Sequence, residues 1–527
     1  MKQETLEVYG YRKVDEAVRR IEVALPPSIL PVLGYSADAL VTRLAQKITM
    51  EITLPFLREG IRRYVGGEPS FPSDDGAFTC GEIAVDMKTG RARPEATLVL
   101  RSSAAFLMLW LAHLGGWLLS FVKGRGRVPA VLLYGVPEAD LSYAGNDARF
   151  MKFCRHGPLA PLRDAKRLVI QTARRVIATR AEEVSYVRVP LLATLSSQRL
   201  GMRDSGYFLT QHISALVAFC MGLVRTRIHC LLWRDLAEHA AAAALDRAGL
   251  VQAVVITNTN WQQQFLWMNA LPNRRFRSYL ALYSLNNHVI VYKSDPVNSA
   301  HPALPHLKVD EVWAWNEPYR DLLAREGVTV PSVALEPILW YLPEPSVAHP
   351  AETVPTLCVF DVAPRTTASA QALGALVNYY NLETATRFID DIVRAREDVR
   401  GRTGVELRIV LKHKRPPLAM HDSAYFDHVE RLRATVASFE LVDTDSNVYT
   451  LIGASRIVIV PPYSSPAYVA AHMGIPALFY DASREVLPTH APHPLIRFVG
   501  NPGALAEAIA EIVAQPAERA AVERVTR

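Results

Sequence analysis

Two series of short apolar runs alternate with helical patterning along this chain, and a proline-studded stretch divides them. Late in the second series, a hydroxyl-rich turn joins a buried run to a short helix. These observations predict an α/β protein of two Rossmann-like domains facing a cleft, with a helical amino-terminal appendage. The 527 residues exceed one ordinary core, so two domains plus elaborations are expected. Half of the residues are hydrophobic and 21% are charged, which fits a folded chain without long disordered tails.

Residues 1–95 read as an irregular helical appendage. Residues 96–336 form the first Rossmann-like domain, assigned to the acceptor. Its β-type runs are Ala130–Tyr134, Arg167–Gln171, Ala253–Thr257, His288–Tyr292 and Glu311–Trp315. Helical segments lie between them, the longest expected from Gln211 to about Ala248. Pro337, Pro343, Pro345, Pro350 and Pro355 stiffen a linker over 337–355.

Residues 356–527 form the second domain. Thr356–Val362 is a strand that ends at Ala363-Pro364, and Ala370–Arg400 is helical, with Phe388, Ile389, Ile392 and Val393 on one side. A strand over Glu406–Leu411, a helix over Tyr425–Ser438, a strand over Phe439–Val442 and a short helix over Asn447–Gly453 follow. Then come the strand Arg456–Val460, a helix from Pro466, strands over Pro476–Tyr480 and Leu495–Val499, and the helix Gly503–Val513. Such alternation implies a parallel sheet covered on both faces. Two such domains joined by a proline-rich linker, with anion-binding features in the second, describe the GT-B architecture, which binds an activated sugar in its cleft.

The most informative segment is the turn Tyr463-Ser464-Ser465-Pro466. Two hydroxyl caps and a proline at the first helical position leave backbone N–H groups and the positive end of a helix dipole off a sheet edge. That favours an anion, typically phosphate, where an open α/β sheet places its ligand. An ordinary capped helix is the alternative. Lys412, His413, Lys414 and Arg415 stand at the end of another strand on the same rim and could converge on a nucleotide phosphate, or form a solvated basic loop.

In the first domain, Glu138, Asp147 and His156 are candidate general bases for an acceptor hydroxyl. Capping and backbone hydrogen bonding are their competing roles. Asn258, Asn260 and Trp261 follow a strand and offer amides and an indole suited to a sugar, or else a helix start. Asp443-Thr-Asp445 matches a short D-x-D pattern that holds divalent metals, but Asp445 and Ser446 equally suit the cap of the next helix. With no other carboxylate cluster nearby, no metal is expected, and no cofactor.

The formal net charge of +6 suits an anionic ligand or an anionic membrane surface, and no run of five like charges suggests a nucleic-acid grip. Five scattered cysteines without CxxC pairing fit a reducing cytoplasm. The first residues carry no apolar core followed by a cleavage site, so no signal peptide is expected there. Hydrolase G-x-S-x-G, P-loop, H-E-x-x-H and well-placed G-x-G-x-x-G patterns are missing. Ser102–Val122 is uncharged and long enough to span a bilayer, yet His113 and Gly115-Gly116 argue for a buried or peripheral helix, with Lys123-Gly-Arg-Gly-Arg127 placed to meet anionic headgroups.

The chain resembles bacterial surface-polysaccharide biosynthesis proteins that bear a Pro-Phe-Thr-Ser motif. The matching residues are Pro462-Tyr463-Ser464-Ser465-Pro466 and then Gly474-Ile-Pro-Ala-Leu-Phe-Tyr-Asp481, with Tyr-Ser standing for Phe-Thr. The runs Val359–Pro364, Leu411–Arg415 and Tyr134–Asp140 also resemble that group. The resemblance implies a glycosyltransferase building a lipopolysaccharide O-chain, capsule or similar glycan, and with no metal expected its reaction is read as metal-independent. Paired hydroxyls at a helix start, near a basic strand end, further resemble transferases that use CMP-activated acidic sugars such as sialic acids or Kdo. There Ser464 and Ser465 would hold the nucleotide phosphate, although Lys412-His-Lys-Arg-Pro416 replaces a His-Pro motif. The expected partners are a nucleotide-sugar donor and a glycan or lipid-linked glycan acceptor, in the cytoplasm or on the inner face of its membrane. A sugar-nucleotide epimerase of the same architecture and a non-catalytic assembly scaffold are the alternatives.

Overall fold

The computed structural model describes residue 20 and residues 33–65, 77–135, 162–170, 184–257, 264–282, 291–293, 306–335, 354–366, 381–488 and 493–515, apart from isolated positions within those spans. Two compact units emerge: residues 9–283 with 300–341, and residues 1–8 with 284–299 and 342–527.

In the first unit, helix α1 (Ala37–Val65) precedes an antiparallel meander of β1 (Ala77–Cys80), β2 (Ile83–Asp86) and β3 (Arg91–Pro94). The region expected to be only helical thus contains a small sheet. Its strands are four residues long and two of them carry charge, which masks the apolar alternation that marks a longer strand. Helix α2 (Ala96–Lys123) leads to β4 (Ala130–Tyr134), β5 (Lys166–Ile170) and β6 (Val184–Val187). Then come α3 (Pro190–Ser197), α4 (Met202–Arg225), a 3-10 turn over Arg227–Leu232 and α5 (Trp233–Arg247).

The single long helix expected over Gln211–Ala248 is therefore two helices. Thr226 adopts extended backbone (φ −154°) and its N–H closes α4 onto the Gly222 carbonyl, so the chain turns and α5 packs back along α4. Next are β7 (Val251–Thr257), α6 (Leu266–Ala270), β8 (Arg277–Ala281), β9 (Val291–Tyr292), β10 (Glu311–Ala314), α7 (Glu317–Arg325) and β11 (Ser332–Leu335). Only Val291 and Tyr292 of the run expected at 288–292 are described as strand, and they belong to the second unit.

The main sheet of the first unit is wholly parallel, in the order β11-β10-β8-β7-β4-β5-β6. Counted from β4, its strand order runs 3-2-1-4-5 and onward, the doubly wound pattern. The order reverses between β4 and β7, whose five and seven residues are buried almost throughout. Continuous burial is what helices on both faces require of a parallel strand.

The second unit comprises β12 (Thr356–Phe360), α8 (Leu382–Thr403), β13 (Arg408–Lys412), α9 (Ser423–Thr435), β14 (Phe439–Val442), α10 (Val448–Gly453), β15 (Ile457–Val460), α11 (Ser465–His472), β16 (Ala477–Tyr480), β17 (Val486–Leu487), β18 (Ile496–Val499) and α12 (Pro502–Ala514). Its sheet runs β14-β13-β12-β15-β16-β18, all parallel, again 3-2-1-4-5-6. Both units are Rossmann-like α/β bodies.

Helix α8 shows how local sequence fixes the frame. Asn381 caps it through a hydrogen bond from the Thr384 N–H, and Gly404 ends it in the left-handed conformation that glycine adopts without strain. Phe388, Ile389, Ile392, Ala395 and Val399 recur at helical spacing and pack on Leu357, Ile409 and Leu478 of the sheet. Burying a side chain of this size contributes roughly 1.5–3 kcal/mol. Tyr480 Oη donates to Asp391 Oδ2 at 2.6 Å, which satisfies the one carboxylate of α8 that faces the core.

Candidate functional site

In the second unit the strand order reverses between β12 and β15, and the residues that follow these strands and β13 form the candidate site. Asp361, directly after β12, is its organising group. The carboxylate is 3% exposed and accepts three hydrogen bonds: from the Lys414 N–H at 2.9 Å, from Tyr425 Oη at 2.6 Å and from His413 Nδ1 at 2.5 Å. One side chain from β12 therefore fixes the loop after β13 and the start of α9. Burial, then the Asp361 charge, raises the Tyr425 phenol well above its ordinary value, so it stays a donor. With Nδ1 committed to Asp361, His413 presents Nε2 as its other ring nitrogen.

Beyond Asp361 the chain turns out as Val362-Ala363-Pro364-Arg365, and Arg365 pairs across with His421 in an isolated antiparallel bridge. The Asp422 N–H donates to the Pro364 carbonyl and the Thr366 N–H to the Met420 carbonyl, which locks the two loops together. Val362, Ala363, Arg365, Lys414, Arg415 and His421 wall a small pocket of about 50 Å³. Three cations and no carboxylate line it, so it favours an anion. Desolvation, then Arg415 and Arg365, lowers the Lys414 ammonium to about 8. Lys414 keeps solvent contact, which moderates that effect. His421 is lowered by burial and by the same two arginines; its Nδ1 accepts from the Leu418 N–H at 3.3 Å.

Across β12 from this pocket, β15 ends in Pro461-Pro462-Tyr463-Ser464 and α11 begins at Ser465. β13 and β15 both pair with β12, so the basic loop and the helix start are two strand spacings apart, about 10 Å. Ser464 is the cap residue of α11, but its side chain makes no capping hydrogen bond. Pro466 stands second in the helix, one place later than the spacing predicts. Tyr463 takes the left-handed conformation (φ 60°), is 5% exposed and packs on Phe479 and Phe498. The aromatic residue therefore anchors the turn from below while Ser464 stays half-exposed above it.

The structure thus brings Lys414 and Arg415 into one pocket, with His413 behind them and Ser464, Ser465 and Pro466 on the neighbouring strand end. Lys412 does not join them: it is 6% exposed and its Nζ turns back to the His413 carbonyl at 3.4 Å. Tyr463 likewise serves the core. Sequence reasoning missed Asp361, Arg365, His421 and Tyr425 as site residues; a carboxylate directly after an apolar strand was the available signal for the first. Asp445 lies outside the described residues, and the cap expected from Asp445 or Ser446 falls instead to Asn447, which accepts from the N–H groups of Tyr449 and Thr450. Among the described residues, no group of three or more His, Cys, Asp or Glu is placed to hold a metal.

Glu138, Asp147, His156, Asn258, Asn260 and Trp261 lie outside the described residues. The described chain on their amino-terminal side ends at a defined place in the sheet. Tyr134 ends β4 and pairs with Ile256 of β7, beside the point where the first sheet reverses order. Gly135, at φ 83°, turns the chain there, and its carbonyl accepts from Thr257 Oγ1 at 2.7 Å. The described chain resumes at Gln264 and is fixed there. Gln264 Oε1 accepts from the Lys308 N–H, and buried Asp235 and Glu238 of α5 accept from the Leu266 N–H and from Trp267 Nε1.

The family of polysaccharide biosynthesis PFTS motif proteins matches residues 213–509, more than half of the chain. This chain belongs to that family. The matched range includes Pro462-Tyr463-Ser464-Ser465, which resembles the motif and sits at the switch point of the second sheet. No curated protein matches the chain. Among solved structures it is similar to an α,α-trehalose-phosphate synthase (UDP-forming) from Burkholderia vietnamiensis, at 11% identity over 75% of this chain and 93% of that one, with a TM-score of 0.38. It is also similar to a variant of the wall teichoic acid polymerase TagF, at 8% identity, 79% and 89% coverage and a TM-score of 0.38. A third is UDP-GlcNAc 2-epimerase from Methanocaldococcus jannaschii, at 8% identity, 74% and 93% coverage and a TM-score of 0.35.

Proposed function

We propose that this PFTS-motif protein is a glycosyltransferase of GT-B architecture that moves a sugar from a nucleotide donor onto a growing cell-surface glycan. The observation that carries the reading is the meeting of an all-cationic pocket (Arg365, Lys414, Arg415) and the Ser464–Ser465 helix start on either side of Asp361, at the switch point of the second sheet. Charge grows on the phosphate as the sugar leaves it. Cations on the loop that Asp361 holds in place, together with the helix-start amides of α11, stabilise that charge. Because cationic side chains already stand where phosphate charge would develop, the reaction is read as metal-independent. A CMP-linked acidic sugar is the favoured donor, since its single phosphate and its carboxylate both suit a site rich in cations. The acceptor falls to the loops of the first unit, with Glu138 or Asp147 as the preferred base for its hydroxyl and Asn258, Asn260 and Trp261 as sugar contacts.

Calorimetry with CMP, UDP, GDP and their sugars tests the donor half directly. Wild-type protein binds one nucleotide class, and replacing both Ser464 and Ser465 with alanine weakens that binding while the melting temperature holds. Unchanged affinity in the double variant would count against the site. Product analysis with and without a glycan acceptor then separates transfer from epimerisation.

A further inference from the structure

Helices α2 and α4 lie side by side and antiparallel, as their cross-contacts show: Phe106 stacks on Phe219 at 4.1 Å, Trp110 on His212 at 4.1 Å and Trp117 on Phe208 at 5.7 Å. Each is long and apolar enough to cross a membrane. Each is also covered along one side by its own domain. On α2, Leu98, Ser102, Phe106, His113, Gly116 and Ser120 are buried, in helical register from end to end. Gly116 is packed so closely that a Cβ there would meet Leu192 of α3 at 2.5 Å. A helix packed along one side of its whole length against its own domain can lie flat on a bilayer.

The opposite side of both helices is bare hydrocarbon. On α2, Leu100, Leu107, Met108 (68% exposed), Leu111, Leu118 and Val122 (83%) recur at helical spacing on one stripe. On α4, Ile213, Val217, Met221 and Val224 (88%) make the matching stripe. No charged residue occurs on α2 between Arg101 and Lys123, or on α4 between Asp204 and Arg225. Exposed cations stand at both ends of the pair: Lys123 and Arg203 at one, Arg225 and Arg227 at the other. Apolar stripes on two neighbouring helices, each up to about 40 Å long at 1.5 Å per residue and tipped with cations, suit helices lying in the plane of a leaflet with anionic headgroups at their ends. A cavity of about 640 Å³ runs along the same helix, and Ile213, Val217 and Met221 line both it and the bare stripe.

We propose that the α2–α4 face docks in the plane of an anionic bilayer, with its leucines and methionines among the upper acyl chains and its terminal cations among the headgroups. The inference stands apart from the sugar-transfer reading, because it uses none of the residues of that site.

Vesicle flotation of the full chain tests it. The protein floats with vesicles of phosphatidylcholine plus phosphatidylglycerol, less with phosphatidylcholine alone, and raised salt weakens the anionic preference. The triple variant Leu107→Glu, Leu111→Glu, Val217→Glu alters only exposed positions, so its melting temperature holds and its flotation falls more than about tenfold. The pair Lys123→Glu, Arg203→Glu leaves the apolar stripe intact and removes only the anionic preference. Wild-type protein that stays at the bottom with both vesicle types overturns the proposal, as does a triple variant that floats undiminished. A wild-type dimer that the triple variant turns into a monomer, without vesicle binding, would assign the face to a second copy of the chain. Vesicle-bound protein that resists alkaline carbonate would replace docking by insertion.

Discussion

Asp361 concentrates three hydrogen bonds from two separate stretches of chain, His413–Lys414 and Tyr425. Its replacement by alanine strands those donors, at a cost of about 1 kcal/mol each or about 3 kcal/mol in all, and urea denaturation measures the loss. Tyr425→Phe removes one of the three and costs about 1 kcal/mol. Lys414 acts outward. Its ammonium is lowered to about 8, so it is cationic at neutral pH and loses its charge as pH rises through about 8, where an ordinary lysine keeps it. On the proposed function, nucleotide affinity declines between neutral and mildly alkaline pH, and Lys414→Arg flattens that decline in titrations across this range. On the same proposal, alanine at Lys414 or Arg415 weakens nucleotide binding about tenfold, or about 1.4 kcal/mol, with little change in stability.

Among the elements, the Pro462–Ser465 turn shows why a motif tolerates Tyr for Phe. The ring of Tyr463 sits in the core against Phe479 and Phe498, and its hydroxyl donates to the Leu487 carbonyl at 3.4 Å. Tyr463→Phe keeps the packing and changes stability by less than about 1 kcal/mol, whereas Tyr463→Ala costs about 3–5 kcal/mol in the same denaturation experiment. The parallel strands of this unit were legible because strands covered on both faces are unbroken apolar runs: Ile457–Val460 and Ala477–Tyr480 need no pattern beyond that. The meander at Ala77–Pro94 and the strands at Val184–Val187, Arg277–Ala281 and Ser332–Leu335 were not expected, because they are short or charged and owe their pairing to neighbours distant in sequence. The site divides the same way. Lys414 and Arg415 are visible as cations at a strand end. Asp361 is 52 residues from His413 and 64 from Tyr425, separations that no local pattern reports.

For the molecule as a whole, the solvent-excluded histidines set the acid limit. Burial lowers His113, His212 and His239 to about 4, with His113 adding to the shift at His212. Their folded pKa lies below the ordinary 6.5, so between about 6.5 and 4 the unfolded chain binds protons that the folded one refuses. Stability is full above that window and falls as pH drops through it, by up to about 1.4 kcal/mol per pH unit for each histidine. Melting temperatures from pH 7 down to 4.5 should decline progressively, and His113→Asn should shallow the slope. The path of the backbone carries a separate consequence. β9, contributed by residues 284–299, pairs antiparallel with β17, and Lys293 binds the carbonyls of Arg484 and Glu485 through Nζ and N–H. A fragment that starts at Thr356 is born without this clasp, so severing the polypeptide at its prolines yields two incomplete pieces, and co-expression restores the missing pair only if the first piece delivers Val291 and Tyr292 in trans.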